Sequence, residues 1–297
     1  MSSQPTADAA GTIDLGGDLT VNRMGFGAMR ITGRGIWGEP PSREVAIATL
    51  RRAVELGVNF IDTADSYGPS VSEELIAEAL YPYPDDLVIA TKGGNLRGGP
   101  EYSDMTSLGN KWYLRQAAYM SMRRLGLDHI DLYYLHQSTF TDVPFEQAID
   151  TLAEMKADGL IRHIGLSNLS AAQLRTAISI TEIAAVTVHY NVAVRLGAGV
   201  RAVAEETGIV FSPWHPGAIP SGSDGDPFHA VIDPIAAEHD VTPQQIALAW
   251  QLHHTANPLP VPGTTSVAHL HENLDAASIS LTQDEVDAIT ALAPEDG

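Results

Sequence analysis

The chain has 297 residues, a normal length for one α/β barrel, and its 44 % hydrophobic and 18 % charged content is globular rather than disordered. Its 17 basic and 37 acidic side chains leave a net charge of −20, which repels phosphate backbones and anionic lipids and argues against nucleic-acid and membrane partners. Cysteine is absent, which excludes disulfides, thiolate catalysis and cysteine zinc sites and is compatible with a cytoplasmic location.

The opening stretch MSSQPTADAAG, residues 1–11, is small and polar, lacks the apolar core of a signal peptide, and is expected to fray as a flexible tail. TIDLGGDLTVN then reads as a hairpin turning at Gly16, Gly17 and Asp18. Eight short apolar runs follow: MGFGAM (24–29), VNFID (58–62), LVIATK (87–92), IDLYYLH (130–136), IRHIGLS (161–167), AAVTVHY (184–190), IVFSP (209–213) and LPVPG (259–263). Helical patterns lie between them. In SREVAIATLRRAVELG, Ser42 is the expected N-cap, Val45, Ile47, Leu50, Val54 and Leu56 are the expected apolar positions, and Gly57 is the stop. Two further helices are expected after the last run, the second opened by a capping box from Thr282 to Glu285. Strand, helix and glycine repeated in this way predict one α/β domain over 1–297, a (β/α)8 TIM barrel with an N-terminal β-hairpin and extra C-terminal helices.

Chemistry in such a barrel sits where the strands end, because the βα loops leave from there. Those ends carry Asp62 on the second run, Lys92 on the third and His136 on the fourth, with Tyr67 five residues beyond Asp62. Singly, each has an ordinary structural explanation: a turn-forming Asp, a satisfied His, a Tyr plugging a loop. Together they do not, because burying a lysine costs several kcal/mol unless it is paired. A phenol is a poor proton donor near neutrality, an adjacent ammonium lowers its pKa, and a carboxylate keeps that ammonium charged. A neighbouring histidine can hydrogen-bond an incoming carbonyl oxygen. The set suits proton transfer to a carbonyl while another group delivers hydride.

NFIDTADSYG, LVIATK, IDLYYLH and IRHIGLSN together resemble the aldo-keto reductases, and MGFGAMR, RRLGLDHIDLYYLH and VPGTTSVAHLHENL extend the likeness over nearly the whole chain. The nearest likeness is to bacterial pyridoxal reductases and small-aldehyde reductases. This resemblance implies the catalytic tetrad Asp62, Tyr67, Lys92 and His136, and a nicotinamide cofactor, NADP(H) in preference to NAD(H), bound without a Rossmann domain. It implies that Ser167 and Asn168 hold the carboxamide, with Asp62 beside them, and that Phe211 stacks on the ring. Gly27, Ala28 and Met29 would line the same cleft. Ser212, Pro213 and Trp214, with Gly263, Thr264 and Thr265, would cradle the phosphates, and Glu272 and Asn273 would flank the adenine. Thr187 stands where many relatives have Gln, and Gly263 and His269 stand where other branches carry Lys and Arg for the 2′-phosphate. His269 or His271 would then make the preference for NADP(H) fade as pH rises.

Trp37, Trp112 and Trp214 are expected to border the mouth and to favour flat or apolar carbonyl substrates. No metal is expected. Two other readings stay open on the residues alone: a metal-dependent barrel hydrolase using His136, His189 and His215, and a non-catalytic NADP-binding regulatory subunit.

Overall fold

The computed structural model describes residues 6–222 and 226–295. The first strands are the hairpin pair β1 (Thr12–Leu15) and β2 (Leu19–Asn22), joined across Gly16, Gly17 and Asp18. Ala7–Ala10, expected to fray, instead forms a helical turn with Ala7 and Ala10 buried, its start tied to Leu56 O at 2.9 Å. Residues 1–5 lie outside the described residues.

Parallel strands β3 (Phe26–Gly27), β4 (Phe60–Asp62) and β5 (Val88–Gly93) pair in order. An antiparallel ribbon, β6 (Asn95–Arg97) and β7 (Met105–Ser107), follows them; the sequence reading did not foresee it. The sheet continues through β8 (Ile130–Leu135), β9 (Ile161–Ser167), β10 (Ala185–Thr187) and β11 (Val210–Phe211). The eighth expected strand closes the barrel without a full ladder. Phe211 N donates to Asn257 O and Leu259 N donates to Phe211 O, both at 2.9 Å, on one side. On the other, Gly25 N reaches Pro260 O at 3.0 Å and Gly27 N reaches Pro262 O at 3.2 Å. Pro258, Pro260 and Pro262 have no N–H to return, so that side is only half bonded. Glycine makes the closure sterically possible: a Cβ on Gly27 would stand 2.5 Å from Val261 O.

Among the described residues, ten α-helices run around the sheet and across its ends. They are α1 (Arg43–Glu55), α2 (Val71–Leu80), α3 (Lys111–Leu125), α4 (Phe145–Ala157), α5 (Ala171–Ile180) and α6 (Ala198–Thr207), then α7 (Pro227–Glu238), α8 (Pro243–His254), α9 (Val267–Asp275) and α10 (Gln283–Thr290). Ser42 caps α1, as its sequence suggests, by accepting from Val45 N. The buried stripe, however, is Ala46, Thr49, Leu50 and Ala53, and Val45 lies exposed. Buried residues at i, i+3, i+4 and i+7 turn one face of the helix inward. Thr282 and Glu285 form the expected capping box on α10.

Within the barrel, Leu15, Val21, Phe60, Ala90, Leu132, Tyr134, Ala185 and Val210 form one apolar cluster. Larger clusters fill the layer between sheet and helices. Burying each large apolar side chain stabilises the fold by roughly 1.5–3 kcal/mol. This division between inside and outside follows the two-residue period of each strand, and the same period aims the polar residues at the mouth.

Candidate active site

Along β4, Phe60 points into the barrel, Ile61 points out to the helices, and Asp62 points in again. On β5 the inward set is Val88, Ala90 and Lys92, and on β8 it is Leu132, Tyr134 and, one residue beyond the strand, His136. Lys92 is in register with Tyr134, and Thr187 with Ser167. Each inward row therefore ends in a polar residue at the same mouth. Apolar layers below keep water from reaching these side chains from underneath.

Lys92 Nζ donates to both oxygens of Asp62, at 2.7 and 2.6 Å, and to Thr63 O at 2.8 Å. Its remaining neighbour is the Tyr67 hydroxyl at 3.4 Å. Burial alone would push the lysine pKa down, but the Asp62 carboxylate and Tyr67 outweigh it and hold Lys92 above its ordinary value. Burial pushes the Asp62 carboxyl up, with Lys92 opposing. Tyr67 departs from expectation in direction. Lys92 does pull the phenol pKa down, but burial is the larger effect, and the net shift is upward. In this state Tyr67 is a firmly protonated phenol.

His136 stands edge-on to Tyr67, ring centres 5.9 Å apart at 79°. Its Nδ1 lies 3.4 Å from Ser66 Oγ, and its carbonyl accepts from Asn168 Nδ2 at 3.1 Å. Burial, helped by the Lys92 charge, pushes its pKa down to about 3. The imidazole is thus neutral at any physiological pH and presents an uncharged hydrogen-bonding edge.

Above these groups lies a cavity of about 320 Å³, lined by Asp62, Tyr67, Lys92, His136, Ser167, Asn168, Thr187 and Trp214 among others. A second space of about 240 Å³ adjoins it through Met29, Asp62, Tyr67, Trp214 and His215, and runs past Gly27, Gly217 and Gln244 to Gly263 and Asn273. A third holds Arg30, Arg34, Gly263, Thr264, Thr265 and His269. Asn168 is bonded to Ser167 Oγ at 3.0 Å and to the Trp214 indole N–H at 3.2 Å, which locks the wall between the first two spaces. Its φ of +53° is the left-handed conformation that Asn adopts more readily than most residues.

Several expected residues are placed elsewhere. Phe211 is fully buried among the residues outside the barrel, edge-on to Tyr190 at 5.4 Å, and has no face toward the cleft. The reason is parity: Val210 and Ser212 point in, so Phe211 points out. Trp214, stacked on His189 at 4.0 Å and 13°, supplies the aromatic wall instead. Trp112 is 78 % exposed on α3 and lines none of the three spaces. Trp37 reaches the mouth only through Arg97, whose guanidinium lies 5.4 Å from its ring. Ala28, Ser212 and Pro213 are buried behind the lining. Glu272 borders a separate depression with Asp240 and Asp275. His271 faces away, accepting from Arg52 Nε at 3.3 Å. Among the described residues no three His, Asp or Glu side chains converge as a metal site would require. The sequence reading missed Arg30, Arg34, Arg97 and Gln244: Arg30 and Arg34 follow β3, Arg97 ends the unforeseen ribbon strand β6, and Gln244 opens α8, so the core-facing strand periodicity does not mark them.

Residues 23–294 match the model of the Aldo/keto reductase family. An uncharacterized oxidoreductase of Schizosaccharomyces pombe is 46 % identical over 95 % of this chain and 90 % of its own length. Pyridoxine 4-dehydrogenase of Escherichia coli is 39 % identical, over 94 % of this chain and 97 % of its own. Among solved structures, an aldo/keto reductase from Klebsiella pneumoniae in complex with NADP and acetate superposes with a TM-score of 0.77 at 25 % identity, covering 95 % of this chain and 94 % of its own.

Proposed function

The chain belongs to the aldo/keto reductase family and is an NAD(P)H-dependent carbonyl reductase, and from that premise we propose that it uses NADPH, that Tyr67 is its general acid, and that its substrates are small aromatic aldehydes of the pyridoxal kind. The observation that carries this reading is the Tyr67 hydroxyl. It sits 3.4 Å from an ammonium held bidentately by Asp62 and faces a cavity of about 320 Å³ beside a neutral histidine.

The cleft suits a dinucleotide. It is extended and bounded by Trp214, and Gly27 and Gly263 lie so close that a side chain on either would strike the other's strand. Ser167, Asn168 and Thr187 offer amide and hydroxyl partners for a carboxamide at its inner end. A nicotinamide bound there supplies the hydride.

The chain's own residues do the rest. His136, uncharged, orients the carbonyl oxygen by a hydrogen bond. Reduction turns that oxygen into an alkoxide, which is far more basic than a phenolate, so the Tyr67 proton moves to it downhill even from a phenol whose pKa is raised. Lys92 then stabilises the phenolate left behind, and Asp62 keeps Lys92 charged and in place. Met29, Ile36, Tyr102, Met105 and Trp214 give the cavity apolar walls that suit a flat ring. The likeness to pyridoxine 4-dehydrogenase supports the substrate class. The absence of cysteine is in keeping with a cytoplasmic location.

A panel of aldehydes, pyridoxal included, assayed by NADPH and NADH consumption tests the reading. Turnover of pyridoxal or a benzaldehyde with NADPH, well above that of small aliphatic aldehydes, is the expected result. Reduction of aliphatic aldehydes alone would refute the substrate class, and tight dinucleotide binding without turnover of any carbonyl would favour the regulatory-subunit reading.

A further inference from the structure

We propose that Arg30 and Arg34, on the loop after β3, form the phosphate-reading end of the cleft and bind the 2′-phosphate of NADPH in place of residues on the segment that opens α9. The inference rests on the carbonyl-reductase reading and names the residues that set its cofactor preference.

Three observations converge. The space holding Arg30 and Arg34 is lined on its far side by Gly263, Thr264, Thr265 and His269, and it joins the cofactor cleft through Met29, Arg30, His215 and Gly263. Arg30 bridges the two directly: its Cγ lies 3.4 Å from where a Cβ on Gly263 would stand. The absent side chain at Gly263 thus leaves the room that the arginine stem occupies.

The second observation concerns pairing. The chain carries a net charge of −20, and many of its arginines sit on carboxylates: half-buried Arg43 on Glu39 and Glu78, Arg115 on Asp158 and Arg162 on Asp18, and exposed Arg175 on Glu206. Arg30 and Arg34 are exposed and have no side-chain hydrogen bond or ion pair with any described residue. Arg123 on α3 shares that condition but lines none of the three spaces. Solvated surface arginines are common, and one alone would mean nothing. Two, four residues apart at the end of a dinucleotide-shaped cleft, with carboxylates plentiful elsewhere on the surface, are placed for an incoming anion.

The third observation is what the α9 segment lacks. Its ionisable groups near the space reduce to His269, because His271 is turned toward Arg52. A phosphate dianion approaching so acidic a protein needs local positive charge, and guanidinium forks supply it in bidentate geometry. Hydrogen bonds to a charged group are stronger than neutral ones, so two arginines account for a large cofactor preference. Guanidinium charge does not titrate, so this preference holds as pH rises through the histidine range. That removes the pH dependence expected from the sequence.

The test is the pair of dissociation constants for NADPH and NADH, by calorimetric or fluorescence titration of the full-length protein. The wild type is compared with the Arg30→Gln/Arg34→Gln double variant and with the double Lys variant. The double Gln variant should bind NADPH at least about 30-fold more weakly and keep NADH within about 3-fold, with the Lys variant intermediate. In the wild type the NADPH-to-NADH ratio should be the same at pH 7 and pH 8.5, and higher salt should weaken NADPH more than NADH. Equal weakening of both nucleotides in the double Gln variant, or a double Gln variant with the wild-type NADPH-to-NADH ratio, would overturn the assignment while leaving the reductase reading intact. A wild type that binds neither nucleotide would overturn the reading beneath it.

Discussion

The two ends of the barrel are built from the same kinds of side chain and are used in opposite ways. At the N-terminal end His163 points inward, and the β1–β2 hairpin brings Asp18 to it at 2.6 Å, while Arg162 closes on the same carboxylate at 2.9 Å. Gly16, at φ +60°, lets the turn lie flat on the imidazole; a Cβ there would stand 2.1 Å from the ring. At the C-terminal end Asp62, Lys92 and His136 also point inward, but no described segment of the chain covers them. Their polar atoms face a cavity instead. Inward polar residues at the closed end are covered by the hairpin, and those at the open end border a cavity. A buried ion pair alone does not mark a functional site. Glu73, fully buried, bonds Arg124 and Thr91, both at 2.6 Å, and lines none of the three spaces of the cleft.

Disrupting the open end should have the largest effect. Lys92→Met removes both the charge and the hydrogen bond that lower the Tyr67 pKa and leaves the Asp62 carboxylate, which raises it. Carbonyl reduction should fall by about 10³-fold or more, and the alkaline limb of alcohol oxidation should move to higher pH, with nucleotide affinity little changed. Full activity in the folded variant would remove the ammonium from the mechanism.

The next effect in size sharpens the contrast between the two histidines. The folded-state pKa of His136 is depressed to about 3, below the unfolded value near 6.5, so its contribution to stability is complete above about pH 6.5 and is lost as pH falls toward 3. Between pH 7 and pH 5 the wild type should lose roughly 2 kcal/mol more stability than His136→Gln, read from urea midpoints at each pH. His254, also depressed, to about 4, contributes to both proteins and cancels in that difference. Parallel pH curves would mean that His136 is not desolvated.

The smallest effect belongs to the closed end. Asp18 is half exposed, so its partners retain water when it is removed. Asp18→Ala should cost about 1 kcal/mol or less and leave kcat/KM for aldehydes unchanged. A marked loss of activity would show that the two ends are coupled.

The same contrast explains what the sequence disclosed. Asp62, Lys92, His136 and Ser167 were legible because each ends a strand run, and each closes an inward row of alternating residues; Thr187 came only from the family resemblance. Phe211 was placed on the ring by the family resemblance alone: it lies one residue out of phase with Val210 and Ser212, and counting by two turns it outward. The last strand was located correctly, but three prolines spaced by two leave it half bonded. Arg30 and Arg34 sit in a loop with no period, and what brings them beside Gly263 is the closure of the barrel between distant segments. Trp112 starts a helix whose inward face is Leu114, Ala117, Ala118, Ser121 and Leu125. Its aromatic character said nothing about which way it faced.

The central claim is that Tyr67 gives the proton while its neighbours only adjust and position. Tyr67→Phe keeps the ring and removes that proton. Single-turnover reduction of an accepted aldehyde by pre-bound NADPH measures the step directly. The rate should fall by at least about 10²-fold with the NADPH dissociation constant within about 2-fold of wild type. A rate near that of the wild type, in a variant that binds NADPH normally, would contradict the account.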